Sequence, residues 1–253
     1  MERQVDKFLM ACRRSPPSLV VSDRVLGEGV TQRVDWPRND PYDPKWGALF
    51  RLNKKVIENA LEAADANDTR DWSKFLFLMS LSIAHELVHM FIGYLTGDSS
   101  RDTPPQVDYR PQASGSRGES GRAWEREMFG FLTEAVYDPN DRRGLAQAGV
   151  FYGKLSKDEG WILNQGWIEE WVTGRMGLPP VTEGRQTSSR REVPFKLPAG
   201  TRTMERMRQR NQDDADHVGQ LVELINEFPT DRVSRTELQD IMGMSSNMGL
   251  VRP

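Results

Sequence analysis

Apolar residues are concentrated in one run of an otherwise polar chain, at residues 75–95. The run stops just before Gly97, as a core helix does when a glycine serves as its C-cap. Its length also approaches a bilayer span, but His85, Glu86 and His89 would then lie in hydrocarbon, where an unpaired carboxylate is costly. The pattern therefore predicts a buried helix of a soluble protein.

Shorter patterns before this run predict strands and one more helix. Residues 19–21 and 24–26 are short strand candidates, and the alternating residues 49–52 suit a half-buried strand. Asn53 is a good N-cap for a helix over residues 54–64. The first half of the chain thus predicts a small sheet with helices beside it.

Beyond a loop rich in serine, glycine and proline, residues 118–132 predict a second, glutamate-bearing helix. Its apolar stripe consists of Trp124, Met128, Phe131 and Ala135. The stripe extends the predicted helix to a stop at residues 138–140. A strand is predicted at 149–153 and a helix near 164–172. Around that helix, three tryptophans are spaced as core residues usually are: Trp161, Trp167 and Trp171.

The chain of 253 residues can form one large domain, or one domain with an appendage. We expect an N-terminal segment at 1–18 and an α+β core at 19–175 with a small mixed sheet. A linker or extended excursion is expected at 176–210, and a mostly helical part that packs on the core at 211–253.

Composition excludes several classes of function. The net charge of −3 implies no general attraction to nucleic acids or membranes. The single Cys12 excludes an internal disulfide framework and a cysteine-ligated zinc cluster. The first residues are too charged to lead into a secretory signal, so the expected location is the cytoplasm. A basic run is explained by a solvated helix face at least as well as by a phosphate-binding patch: Arg202, Arg206, Arg208 and Arg210.

The predicted core helix contains His85-Glu86-Leu87-Val88-His89, and these are two of the three histidines in the chain. Residues four apart lie on the same face of a helix, so His85 and His89 can each give one nitrogen to a single zinc ion. Glu86, one step round the helix, reaches a water beside such an ion and is the candidate general base.

This motif resembles the HExxH helix of the zincin metallopeptidases. The extended zincin motif needs glycine and histidine where this chain has Ile92 and Leu95. The Gly-Thr-x-x-Asp sequence of zincins that use an aspartate as third ligand is not visible either. The chain is therefore similar to the gluzincins, whose third zinc ligand is a glutamate on a later helix. Such a resemblance implies a zincin-like core. It also implies a sheet whose edge strand pairs with an extended substrate, and the strand at 49–52 is either that edge or an ordinary strand.

Glu119 is the predicted third ligand, because small neighbours let its helix approach the histidine helix closely. Gluzincins typically have an asparagine before this glutamate and an acidic residue four positions later, where this chain has Gly118 and Ala123. Glu125 and Glu127 are rival ligands. Alternatively, both belong to a solvated helix face and form ion pairs with neighbouring arginines.

The resemblance implies a zinc-dependent hydrolase, a metallopeptidase-like enzyme that cleaves a peptide or related amide bond. Two alternatives stay open, a biosynthetic enzyme that uses the zinc site on a small molecule and a degenerate zincin that acts as a binding module. A second donor normally stabilises the oxyanion in such reactions. The candidates for that donor are His217, Tyr94, Tyr137 and Tyr152, and a surface position is the other interpretation of His217.

Overall fold

The computed structural model describes residues 2–25, 27–34, 41–97, 102–109, 118–156, 159–175, 177, 180, 182–186, 192–197, 199–208 and 232–233. Nearly all of the predicted helical C-terminal part, including His217 and Arg210, lies outside these residues.

The described part of the chain is a mixed α+β fold, as predicted. Its helices are α1 (Glu2–Arg14), α2 (Pro44–Gly47), α3 (Lys54–Asp65), α4 (Thr69–Thr96), α5 (Ser120–Phe129) and α6 (Gln165–Val172). Its strands are β1 (Ser18–Ser22), β2 (Gly29–Val34), β3 (Ala48–Asn53), β4 (Leu132–Val136), β5 (Val150–Lys154), β6 (Glu159–Leu163), β7 (Thr182–Glu183), β8 (Arg185–Gln186), β9 (Glu192–Val193), β10 (Phe195–Lys196) and β11 (Arg232–Val233). A single 3₁₀ turn at Gly144–Ala146 precedes β5.

Two sheets flank the long helix α4. The first has the strand order β1-β3-β2-β11, in which β1 is parallel to β3 and β2 is antiparallel to it. The strand predicted at 49–52 is β3. The sequence did not decide whether it is an edge strand, and in the structure it lies between β1 and β2. The second sheet has the order β10-β6-β5-β4, all antiparallel, and β7 also pairs with β6.

Helix α4 is the element around which the core packs, and it has the predicted C-cap. Gly97 ends it in the left-handed conformation, with φ 62°, and Asp68 caps its start by accepting a bond from the Asp71 backbone N–H. Helices α3, α5 and α6 and strand β2 all contact α4. Among the described helices, α4 is the one that is long and apolar enough to cross a membrane.

The main hydrophobic cluster joins α4 to α6 and the second sheet. Phe77 of α4 is buried and meets Phe151 of β5 and Trp167 of α6 edge to face, with ring centroids 5.0 and 5.7 Å apart. Trp161 and Trp171 pack against the same cluster. The prediction of a core residue is therefore confirmed for Trp167, whereas Trp161 and Trp171 are partly buried at the border of the cluster.

Two sequence predictions about element boundaries are wrong. The second helix does not continue to residue 138, because Gly130 adopts a φ of 78° and ends α5 after Phe129; β4 follows. Phe131 and Ala135 are nevertheless buried, because the face of β4 that carries Ala135 turns towards the core. The strand candidate at 24–26 is also wrong over its described residues, which form a turn before β2.

The stretch predicted as a linker or extended excursion carries short strands and core contacts. Strands β7 and β10 pair with β6, and Met204 is fully buried in the main cluster. The guanidinium of Arg208 donates to Glu28 Oε1 and to the backbone carbonyl of Gln147, each at 3.4 Å. Residues 199–208 are therefore attached to the main cluster and to the segments that precede β2 and β5.

Candidate metal centre

The structure brings three of the predicted site residues together. One ligand atom each from His85, His89 and Glu119 lies within 4.8 Å of the other two. Nε2 of His85 is 3.3 Å from Glu119 Oε2, and Nε2 of His89 is 2.5 Å from Glu119 Oε1. Both imidazoles therefore turn the same nitrogen towards one carboxylate.

Helix α4 places the two histidines on one face, with ring centroids 5.3 Å apart, as their spacing predicts. Helix α5 approaches this face through small residues, and Ser120, Gly121 and Ala123 are all buried. A Cβ at Gly121 would lie 2.2 Å from Nε2 and Cδ2 of the His85 ring. The ring can therefore take this position only because residue 121 has no side chain.

The outer nitrogen of each imidazole also has a partner, and both partners come from α5. Nδ1 of His85 lies 2.8 Å from Glu125 Oε1, and Nδ1 of His89 lies 3.1 Å from Ser120 Oγ. The second oxygen of Glu125 accepts the backbone N–H of Thr133 in β4 at 2.8 Å. These contacts orient both rings and connect one of them to the second sheet.

Glu119 is held at its position by local backbone bonds. It is the N-cap of α5, and its carboxylate accepts the N–H groups of Gly121 and Arg122 at 3.2 and 2.8 Å. Its own N–H donates to the carbonyl of Val107 at 2.8 Å. A Cβ at Gly118 would lie 2.0 Å from the carbonyl oxygen of Pro104, which explains a glycine where the resemblance leads one to expect asparagine.

The charges of the cluster stabilise one another. Burial alone would lower the pKa of His85, but hydrogen bonds and charge interactions with Glu119 and Glu125 outweigh it and raise the pKa to about 10. Burial would likewise raise the pKa of Glu119, but hydrogen bonds from His85 and His89 hold it well below its usual range. The metal-free cluster is therefore an ion-paired group.

The three residues open onto a cleft of about 890 Å³. Glu86 lines the same cleft, and so do Gly29 and Thr31 of β2 on one side and Glu134 of β4 on another. The Thr31 hydroxyl donates to the backbone carbonyl of Glu86 at 3.1 Å, which ties β2 to the histidine helix. The candidate base and the candidate ligands thus share one solvent-filled space.

The residues present fit a catalytic zinc ion. Two imidazole nitrogens and one carboxylate are a donor set used by catalytic zinc, which keeps its fourth position open. Both histidines direct Nε2 inward and have a hydrogen-bond partner on Nδ1, the arrangement that fixes the tautomer of a zinc-binding histidine.

Other sequence candidates lie elsewhere. Glu127 is exposed and pairs with Arg126 at 2.9 Å, in line with the solvated-face interpretation. Tyr94 donates to Gln4, Tyr152 donates to the backbone carbonyl of Phe195, and neither they nor Tyr137 line the described cleft. His217 lies outside the described residues.

Sequence reasoning missed the partners of the histidines. It treated Glu125 only as a rival ligand or a surface residue, and it did not consider Ser120 or Thr133. A signal for Glu125 was present, because a glutamate one turn away from Gly121 on the small-residue face of α5 must turn towards α4. Comparison of the chain with known family models, curated proteins and solved structures finds no match.

Proposed function

We propose that the protein is a zinc-dependent hydrolase that cleaves a peptide or related amide bond. The observation that carries the proposal is that Glu86 lines the cleft onto which His85, His89 and Glu119 open. A zinc ion in such a site lowers the pKa of water towards neutrality and polarises the substrate carbonyl.

The chain's own residues would divide the work as follows. His85, His89 and Glu119 hold the ion, and Glu125 and Ser120 orient the two imidazoles through Nδ1. Glu86 accepts the proton of the attacking water and returns it to the leaving nitrogen when the carbon–nitrogen bond breaks. Its carboxylate has no hydrogen-bond or ion-pair partner among the described residues, so it is available for this transfer.

The cleft has the features expected for a peptide substrate and, over its described residues, lacks the aromatic lining expected for a small-molecule pocket. Strand β11 pairs with β2 only at Arg33 and Val34, so no described strand pairs with the outer edge of β2 at residues 29–32. That edge borders the cleft beside Glu86. No phenylalanine, tyrosine or tryptophan is among the described residues that line the cleft. An extended peptide could therefore add to the edge of β2 through backbone hydrogen bonds.

A zincin-like core of the gluzincin kind is part of the proposal. Gluzincins typically have an acidic residue where this chain has Ala123. In this protein Glu125 would serve instead as the acidic partner of the His85 ring. Strand β2, antiparallel to β3 and next to α4, would be the substrate-binding edge instead of β3.

Metal analysis and a peptide-library digest test the proposal together. Purified protein should contain one zinc ion per chain and should cleave peptides from the library. Glu86→Gln should keep the zinc but lose several orders of magnitude in rate, since an amide cannot accept the proton. If Glu86→Gln cleaves at the parent rate, the general-base role is wrong. If the parent binds zinc but cleaves nothing, a binding module becomes the better interpretation.

A further inference from the structure

The charged residues that line the cleft are mostly neutralised by one another. Glu134 pairs with Lys154 at 2.8 Å, Glu28 with Arg208 at 3.4 Å, and Glu119 with Arg122 at 3.7 Å. Glu125 is bound to His85. Arg33, Asp108 and Glu205 also have interaction partners.

Three charged groups of the lining have no oppositely charged partner within the described part of the chain: Glu86, Arg202 and Arg206. The only side-chain contact of Arg202 there is 3.8 Å from Nη1 to the sulfur of Met207. The guanidinium of Arg206 has none, although its backbone N–H donates to Thr203 Oγ1 at 3.3 Å. Glu86 has its role in the proposed reaction, so Arg202 and Arg206 are the two charged groups of this lining that are left for a ligand.

The two arginines sit on a firmly attached stretch of chain, although both side chains are exposed. Thr203 forms an antiparallel bridge with Val136 of β4, and the carbonyl of Arg202 accepts the N–H of Tyr137 at 3.0 Å. Met204, between the two arginines, is fully buried. The backbone positions of both arginines are therefore fixed relative to β4, the strand whose Thr133 N–H binds Glu125.

We propose that Arg202 and Arg206 bind an anionic group of the substrate, so that the cleft selects peptides with a negative charge near the scissile bond. This inference rests on the proposed hydrolase function. Guanidinium groups bind carboxylates and phosphates through paired hydrogen bonds, and two guanidinium groups without an ion-pair partner in the described part of the chain favour such a group. A side-chain carboxylate, a phosphorylated side chain and a peptide C-terminus all offer this chemistry.

Binding measurements on zinc-loaded Glu86→Gln protein test the inference without requiring turnover. The probes are fluorescent synthetic peptide pools in which one position at a time is Glu, phosphoserine, Gln or Lys, each made with a free or an amidated C-terminus. At one position or more, the Glu or phosphoserine pools should bind more tightly than the Gln pools, by about fivefold for each arginine engaged. If only the free-carboxylate pools bind more tightly, the anion is the C-terminus.

Arg202→Gln combined with Arg206→Gln should abolish this preference, and raised salt should weaken it in the parent. Arg202→Glu combined with Arg206→Glu should reverse it in favour of the Lys pools. Arg70→Gln, at an exposed arginine of α4 that does not line the cleft, is the matched control and should change nothing.

The outcomes separate this inference from the proposed function. If the parent cleaves peptides but the glutamine and glutamate pairs keep the parent's preference, the arginines do not select the substrate. If the arginine-dependent preference is found but no peptide is cleaved by the parent, the inference stands and the hydrolase proposal fails.

Discussion

Replacing each of the three candidate glutamates in turn should give three different zinc affinities. Glu119→Asn removes the carboxylate but keeps a good N-cap side chain, whose amide oxygen can still accept a backbone N–H of the first turn of α5, where Gly121 and Arg122 now donate to the two carboxylate oxygens. Structural zinc sites with four ligands bind with about 10–16 kcal/mol, or about 3 kcal/mol for each ligand. Loss of Glu119 as a ligand should therefore weaken zinc binding by about two orders of magnitude.

Glu125→Ala should have a smaller effect, because Glu125 contacts the outer nitrogen of His85 at 2.8 Å and would act on a bound ion only through that ring. Loss of such a partner costs about 10- to 100-fold in metal affinity. It also leaves the N–H of Thr133 without its acceptor, at a cost of about 1–3 kcal/mol in the free energy of unfolding. Glu127 is 71% exposed and pairs with Arg126, its neighbour in the chain, so Glu127→Ala should bind zinc as the parent does.

Competition with a coloured chelator at one fixed pH measures the three apparent dissociation constants. The expected order of loss is Glu119, then Glu125, then Glu127. Urea unfolding of the metal-free proteins separates a loss of affinity from a loss of stability. Parent-like zinc binding by Glu119→Asn would refute the ligand assignment, and a large loss in Glu127→Ala would mean that α5 is rotated relative to α4.

Three further predictions concern protons and space around His85. The pKa of His85 is raised to about 10 in the metal-free protein, so zinc binding at pH 7 should release about one proton from it. The heat of binding measured by calorimetry should therefore vary with the ionisation enthalpy of the buffer. A heat that is independent of the buffer would contradict this. The raised pKa also means that the stability which charged His85 adds to the metal-free protein is complete below about pH 6.5 and is lost as the pH rises through 10. Gly121→Ala should lower zinc affinity by about tenfold or more, since the new Cβ displaces the His85 ring, whereas Gly177→Ala, with no atom within 4 Å of its added Cβ, should not. Equal affinities in these two variants would show that the ring does not need the space above residue 121.

The sequence predicts α4 well because its signals are local. The apolar run and Gly97 predict the core and the end of the helix, although it begins at Thr69, before the run, and the i, i+4 spacing alone puts His85 and His89 on one face. The same holds for α3, whose N-cap Asn53 accepts the N–H of Lys55 at 2.8 Å as predicted. Glu119 is predicted as a ligand from its small neighbours, which do form the buried face of α5.

The parts that were missed depend on contacts between distant segments. Helix α5 and strand β4 were merged because Phe131 and Ala135 are buried in either conformation, and the left-handed Gly130 is what separates them. Glu125 and Glu127 carry the same side chain, yet one is buried against His85 and the other is exposed, because the small-residue face of α5, which carries Glu125, packs on α4. Two-residue strands such as β7 and β10 have no periodicity to detect and exist only through pairing with β6.

The attachment of β7, β10 and Thr203 to the second sheet means that the shortest chain carrying the candidate site differs from the shortest chain that folds well. A chain cut after residue 175 would retain His85, His89, Glu119 and their partners on α5. It would lose the carbonyl of Phe195, which accepts the buried Tyr152 hydroxyl, and the carbonyl of Gly177, which accepts the indole N–H of Trp167. Each buried donor left without an acceptor costs about 1–3 kcal/mol. Residues that supply no zinc ligand therefore set the size of the smallest stable unit.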